Sequence, residues 1–295
     1  RYDQDKYDCI DEFRTDFILE YLDKKEKEKP FFIFMSYRIP HAHERYTRNK
    51  ELYADYGWTE TERRHAARIT LLDGQIGRLL DKLESMGEMD NTIILLTSDN
   101  GPHHEGGHDH LFFNSSGGLR GYKRDLYEGG IRIPLIAFWK NKIESGTVSN
   151  RQGGFHDMMP TLAEIAGIES PEQTNGISLL PELLGEKSPE HEYLYWELQL
   201  VGWGRKLPNG GFRQAVRMGK WKAVRYGIES STELYDLEND LFESVNLADQ
   251  HPDIINEVNR LFTEARTETA NFPYGGKIQN YRAVDRYEPA RLENP

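Results

Sequence analysis

Two short apolar runs, FFIFMSY (31–37) and TIILLT (92–97), flank a segment whose apolar residues recur at helical spacing. Ile69, Leu72, Ile76, Leu79, Leu80 and Leu83 fall on one stripe, Thr59 and Glu62 stand at capping-box spacing, and SMGEMDN ends the pattern. Strand, helix, strand predicts a right-handed parallel βαβ unit. Sheets of that kind bind ligands beyond the carboxyl ends of their strands. His41 and Asp99 both lie just past such an end, so both point to one rim.

The rest of the chain extends this plan. Residues 11–28 read as an amphipathic helix, 38–57 as a long irregular loop, IRIPLIAFW (131–139) as a third strand, and HDMMPTLAEIAG (156–167) as a short helix with Pro160 near its first turn. Beyond Pro171 the segments YLYWEL, FRQAVRMG, WKAVRYG and TELYDLEN are short, β-rich and separated by Gly, Asn or Ser, which predicts a small antiparallel sheet. A helix over 251–267 follows, then a polar extended tail after Phe272. The predicted fold class is α/β: part of a mostly parallel sheet flanked by helices over 1–160, and a smaller subdomain of antiparallel sheet plus terminal helix over 161–295.

A formal charge of −12 argues against nucleic acid and anionic membrane as partners, so an anion site has to be local and organised. No apolar stretch approaches the roughly 18 residues that span a bilayer. The lone Cys9 makes no internal disulfide and no CxxC site, and reads as a half-buried structural residue.

Chemistry concentrates in SDNGPHHEGGHDH (98–110). Asp99 offers a carboxylate and Asn100 an amide oxygen, ligands suited to a hard cation such as Ca²⁺ or Mg²⁺, though DNG is also a common turn. His103, His104, His108 and His110 could ligate zinc, but lack the register of a helix-borne site; a solvated loop beside a polar pocket is the plainer reading. Lys123, ahead of a Tyr-Glu-Gly-Gly turn, can meet an anion as a compact charge. His41 in IPHAH can donate to an anion or act as a general acid.

Taken in order, the strand then PHA, the strand then SDNGPH, GYKRDLYEGGIRIPLIAFW, the DMMPTLAEIAG helix, and the later AVRMGKWKAVRY and ELYDLENDLFESVNLA resemble the type I sulfatases, the arylsulfatase-like branch of the alkaline phosphatase superfamily. The resemblance runs from about residue 12 to 273. It implies an alkaline-phosphatase-like sheet, one Ca²⁺ with Asp99 and Asn100 among its ligands, Lys123 on the sulfate, and His41 near the sulfate and the leaving oxygen. It also implies a formylglycine nucleophile made from a C/S-x-P-S/A-R motif. That motif is not in this sequence: Cys9 is followed by IDEF, and KSPE and SPEQ lack the arginine. The family's N-terminal Asp-Asp pair and Lys/His pair are likewise not found. The expectation is therefore a C-terminal portion of a sulfatase, inactive as given, whose partner is the N-terminal portion of the same fold and whose full-length parent is periplasmic or secreted. Sulfated carbohydrate is the expected substrate, with aromatic loops (YLYWEL, VGWGRK) for stacking and His103, His104 and Arg120 as candidate sugar contacts. Two alternatives remain open: a phosphatase or phosphonate hydrolase of the same superfamily, and a non-catalytic glycan-binding remnant.

Overall fold

The computed structural model describes residues 7, 9–42, 51–200, 211–269 and 274. In order come α1 (Ile10–Lys24), α2 (Glu60–Ser85), β1 (Ile93–Thr97), a helical turn α3 (Glu128–Ile131), β2 (Leu135–Trp139), α4 (Met158–Ile165), a turn α5 (Leu180–Leu183), the strands β3 (Leu194–Gln199), β4 (Phe212–Met218), β5 (Trp221–Tyr226) and β6 (Glu233–Asp236), and α6 (Pro252–Glu264). The chain divides into two compact units. One comprises Arg1–Leu95, His103–Ser115 and Ala137–Asn141; the other comprises Leu96–Pro102, Ser116–Ile136 and Lys142–Pro295.

In the first unit α1 packs on α2. Thr59 caps α2 as its spacing predicts: its Oγ1 accepts from the Glu62 N–H at 3.3 Å. The reciprocal half of the box does not form, because the Glu62 carboxylate is spent on His108 and on the Asp109 N–H. The apolar stripe on α2 is only partly covered, with Ile69 and Leu80 exposed, while Glu62, His65 and Gln75 are buried. FFIFMSY is the clearest departure. Residues 31–37 carry no strand assignment, and Phe32 and Phe34 are 70% and 79% exposed. A buried strand needs a ladder neighbour on each side, and none of the described residues supplies one to this run.

β1 and β2 pair as a two-stranded sheet, on which Leu96, Leu135, Ile136 and Phe138 are exposed. The second unit's antiparallel sheet has the order β3-β4-β5-β6. Its register places Ala215 opposite Val224 and Val216 opposite Ala223. Period-two alternation then gives each face its own core. Ala215, Val224 and Tyr235 pack with Leu126 and Tyr127; Val216, Ala223 and Leu234 pack with Val258, Leu261 and Phe262 of α6. The VGWGRK loop and all of the C-terminal tail except Tyr274 lie outside the described residues.

Candidate active site

Backbone contacts at the end of β1 fix the rim in the second unit. The Gly101 N–H donates to the Gly130 carbonyl at 3.0 Å, and the Lys123 N–H donates to the Pro102 carbonyl at 2.7 Å. A Cβ on Gly101 would stand 2.0 Å from the Gly129 carbonyl oxygen, and one on Gly129 would stand 2.2 Å from the Gly121 oxygen. The glycines of DNG and YEGG are therefore there because two backbones touch. The turn that presents Lys123 is pinned from β4, where Arg213 donates to the Arg124 carbonyl at 2.6 Å and to the Asp125 carboxylate at 2.7 Å.

On this rim Asp99 is exposed, and among the described residues nothing neutralises its carboxylate. Asn100 donates from Nδ2 to the Gly101 carbonyl at 2.7 Å, which orients the amide and leaves Oδ1 as an acceptor. One carboxylate and one oriented amide oxygen suit a hard cation, and they supply part of the six to eight oxygens that Ca²⁺ takes. Arg120, a candidate sugar contact, sits among tyrosines of this unit with its side chain 34% exposed. Its guanidinium lies 3.8 Å from the Tyr127 ring centroid, donates to the Tyr235 hydroxyl at 2.8 Å and to the Glu243 carbonyl at 2.9 Å, and pairs with Glu233 at 3.8 Å.

The first unit holds His41, His65 and the histidines of the 103–110 loop. Asp11, fully buried in α1, accepts from the Arg38 and Ile39 N–H groups at 2.9 and 2.8 Å, and so fixes the backbone leading to His41. His103 is buried, accepts from the Glu105 N–H at Nδ1 (3.2 Å), and has Nε2 3.3 Å from the Pro40 carbonyl, which sets the tautomer as Nε2–H. His41 has its Nε2 3.9 Å from the Glu105 carboxylate and is 34% exposed. His108 hydrogen-bonds Glu62 through Nδ1 and stacks on His65 with centroids 3.8 Å apart. Burial, then the neighbouring imidazoles of His108 and His103, pull His65 down to about 3, so it is neutral. His104 and His110 lie with Asp109 at the exposed end of the same loop.

The structure thus gathers His41, His103 and Glu105 in one unit, and ties the Asp99-Asn100 rim to the Lys123 turn in the other. Sequence reasoning missed Asp11, Glu62 and Glu105, the carboxylates that hold these loops. Only Glu62 carried a signal, through its capping-box spacing.

The Sulfatase family pattern matches residues 1–168 of the 295, and the pattern of N-sulphoglucosamine sulphohydrolase, C-terminal, matches 119–268. An N-acetylgalactosamine-6-O-sulfatase of Bacteroides thetaiotaomicron is 28% identical over 285 residues, covering 90% of this chain and 52% of that protein. A solved sulfatase from the metabolism of multiple glycosaminoglycans by Bacteroides thetaiotaomicron superposes with a TM-score of 0.68 at 27% identity, over 87% of this chain and 54% of that one. A further solved structure, of a protein in complex with its substrate D-glucosamine-2-N,6-O-disulfate, gives a TM-score of 0.55 at 28% identity, over 70% of this chain and 40% of that one. The chain therefore spans about half the length of the relatives it matches most fully. Its fold is that of the α/β sulfatases, and with their family pattern running through more than half of its residues, this chain belongs to the sulfatase family.

Proposed function

We propose that this chain carries the sheet-rim part of a sulfuric ester hydrolase acting on sulfated carbohydrate. The observation that carries the reading is Asp99: a carboxylate without a protein partner among the described residues, on a rim that touching glycine backbones hold still. Asp99 and Asn100 would be part of a Ca²⁺ site, and Lys123 would hold the sulfate as a fixed positive charge. A bound Ca²⁺ would add electrostatic stabilisation of the transferring sulfate. His41, beside Glu105, would protonate the leaving alcohol. The loop from His103 to His110 would face the sugar. The formylglycine nucleophile would come from polypeptide outside this sequence, so the chain by itself would not turn over. The exposed apolar residues of β1, β2 and residues 31–37 support that reading, because further strands of the same fold would cover them. For the full-length parent, the reading places the enzyme in the periplasm or outside the cell. No helix among the described residues is long and apolar enough to cross a membrane.

The test is sulfate release by the full-length gene product from 6-sulfated N-acetylgalactosamine and from D-glucosamine-2-N,6-O-disulfate, the compounds that the relatives' names specify. Asp99→Ala should abolish Ca²⁺ binding and turnover, and Lys123→Ala should cut kcat by about 10²–10³-fold or more, as loss of a main charge-stabilising group does. Turnover of phosphate esters with bound zinc would favour the phosphatase alternative. Binding of sulfated oligosaccharide without turnover would favour the glycan-binding one.

A further inference from the structure

The distal end of the histidine loop has the geometry of a second metal site. His104 Nδ1, His110 Nδ1 and Asp109 Oδ1 form a nearly equilateral triangle: 3.4 Å between the nitrogens, and 3.5 and 3.6 Å from the carboxylate oxygen to His104 and His110. Three ligands of one tetrahedral ion with bonds of about 2.0–2.2 Å stand about 3.3–3.6 Å apart. The corresponding edges around an octahedral ion with bonds of about 2.0–2.1 Å are about 2.8–3.0 Å, shorter than any of the three. Two imidazoles and one carboxylate are a donor set that suits zinc rather than calcium.

The triangle also has a braced base. Glu62 receives the Asp109 N–H at 2.9 Å and the neighbouring His108 ring, so a buried carboxylate on α2 fixes the backbone from which Asp109 and His110 project. Asp109 Oδ1 accepts from the Leu111 N–H at 3.0 Å, which fixes the carboxylate and leaves that oxygen a second lone pair. The side chains of His104, Asp109 and His110 are 50%, 51% and 12% exposed, so an ion can reach them from solvent. The other His/Asp grouping of the fold, His156, Asp157 and His191, is built differently. Asp157 is buried and already accepts from the Gly154 and Ile177 N–H groups and from His191 at 2.8 Å, with Arg151 3.8 Å away. Three acceptor positions of that carboxylate are already filled and a cation stands beside it, which disfavours an ion there.

We infer that His104, Asp109 and His110 bind one Zn²⁺-like ion, with ligands other than Asp99 and Asn100. The test is titration of this chain with ZnCl₂ against a chromophoric chelator, in excess CaCl₂ to occupy any hard-ion site, together with the visible spectrum of the Co²⁺-loaded chain. One equivalent of Zn²⁺ and the intense absorption of four-coordinate Co²⁺ are expected. His104→Ala, Asp109→Asn and His110→Ala should each weaken binding at least as much as loss of an outer-shell partner does, roughly 10–100-fold. His156→Ala and His191→Ala should leave it unchanged. Circular dichroism checks that each variant is folded, and the near-isosteric Asp109→Asn carries the test should a histidine variant not be. Absence of Zn²⁺ binding by the folded chain overturns the assignment. So does unchanged affinity in the triangle variants, or loss of binding on His191→Ala.

Discussion

Lys222 and Glu128 form an ion pair with Nζ and Oε1 2.8 Å apart and side chains 0% and 3% exposed. Glu243, also fully buried, has its Oε1 3.5 Å from the same ammonium, and its other oxygen accepts from the Glu128 N–H at 2.7 Å. A lysine of β5 thus anchors the YEGG turn whose backbone abuts Gly101. Removing it would take the ammonium from Glu243 and leave Glu128 with only Arg132 and Arg217, 3.3 and 3.5 Å away. Lys222→Met should cost about 3–5 kcal/mol of unfolding free energy. The triple variant with Glu128→Gln and Glu243→Gln should recover most of it. Urea denaturation of the chain measures both, and a loss below about 1 kcal/mol in the single variant would mean the pair is better solvated than its burial implies.

The two carboxylates divide one ammonium unequally. Burial pushes Glu128 up, but Lys222, with Arg217 and Arg132 behind it, overrides burial and holds it below the ordinary value. For Glu243 burial wins over the more distant Lys222, and its carboxyl rises to about 7 from an ordinary 4.5. The folded state therefore keeps a proton that the unfolded chain has released between those values. This contribution to stability is fully present below the unfolded pKa and is lost as pH rises through about 7. The wild type should lose more urea stability between about pH 5 and about pH 8 than Glu243→Gln does. Parallel profiles for the two proteins would show that Glu243 is ionised throughout.

Arg120 is held by two tyrosine hydroxyls and a backbone carbonyl. Its contacts with Tyr127, Tyr235 and the Glu243 carbonyl are planar and multidentate, which an ammonium cannot reproduce. Arg120→Lys should destabilise nearly as much as Arg120→Ala, by about 1–3 kcal/mol, with Ca²⁺ affinity little changed in the folded variants. A full-length Arg120→Lys variant with normal stability and a raised KM for sulfated sugar would restore the sugar contact.

The sequence was most legible where local rules decide. Thr59 begins α2, and the short β-rich segments after Pro171, separated by Gly, Asn or Ser, become the antiparallel sheet. The DNG and YEGG segments stand out because touching backbones demand glycine at Gly101, Gly129 and Gly130. FFIFMSY misled, because an apolar run identifies a strand only if neighbours pair with it. The polar scaffold was not legible. Asp11, Glu128, Lys222 and Glu243 carried no sequence signal of burial, which depends on partners as many as 115 residues away, as for the Glu128–Glu243 contact. The contacts of Arg120 with Tyr235 and with the Glu243 carbonyl were equally hidden, because those partners lie more than a hundred residues along the chain.

The glycine contacts at the rim give a prediction with its own control. A methyl group on Gly101 would overlap the Gly129 carbonyl oxygen at 2.0 Å, and no flexible side chain is there to give way. The backbones would have to part, breaking the Gly101–Gly130 hydrogen bond and displacing the Asp99 carboxylate. Gly101→Ala should therefore cost several kcal/mol, on the order of 3 or more, and abolish Ca²⁺ binding in whatever fraction folds. Gly74 and Gly77 lie inside α2, and a Cβ at either position would have nothing within 4 Å of it. There a methyl group meets open space and lowers the conformational entropy of the unfolded chain, so Gly74→Ala and Gly77→Ala should each stabilise by about 0.4–1 kcal/mol. Thermal unfolding of the three variants side by side decides the matter. A Gly101→Ala protein as stable as the wild type would mean that the rim is not held by backbone contact, and that Asp99 is placed by something else.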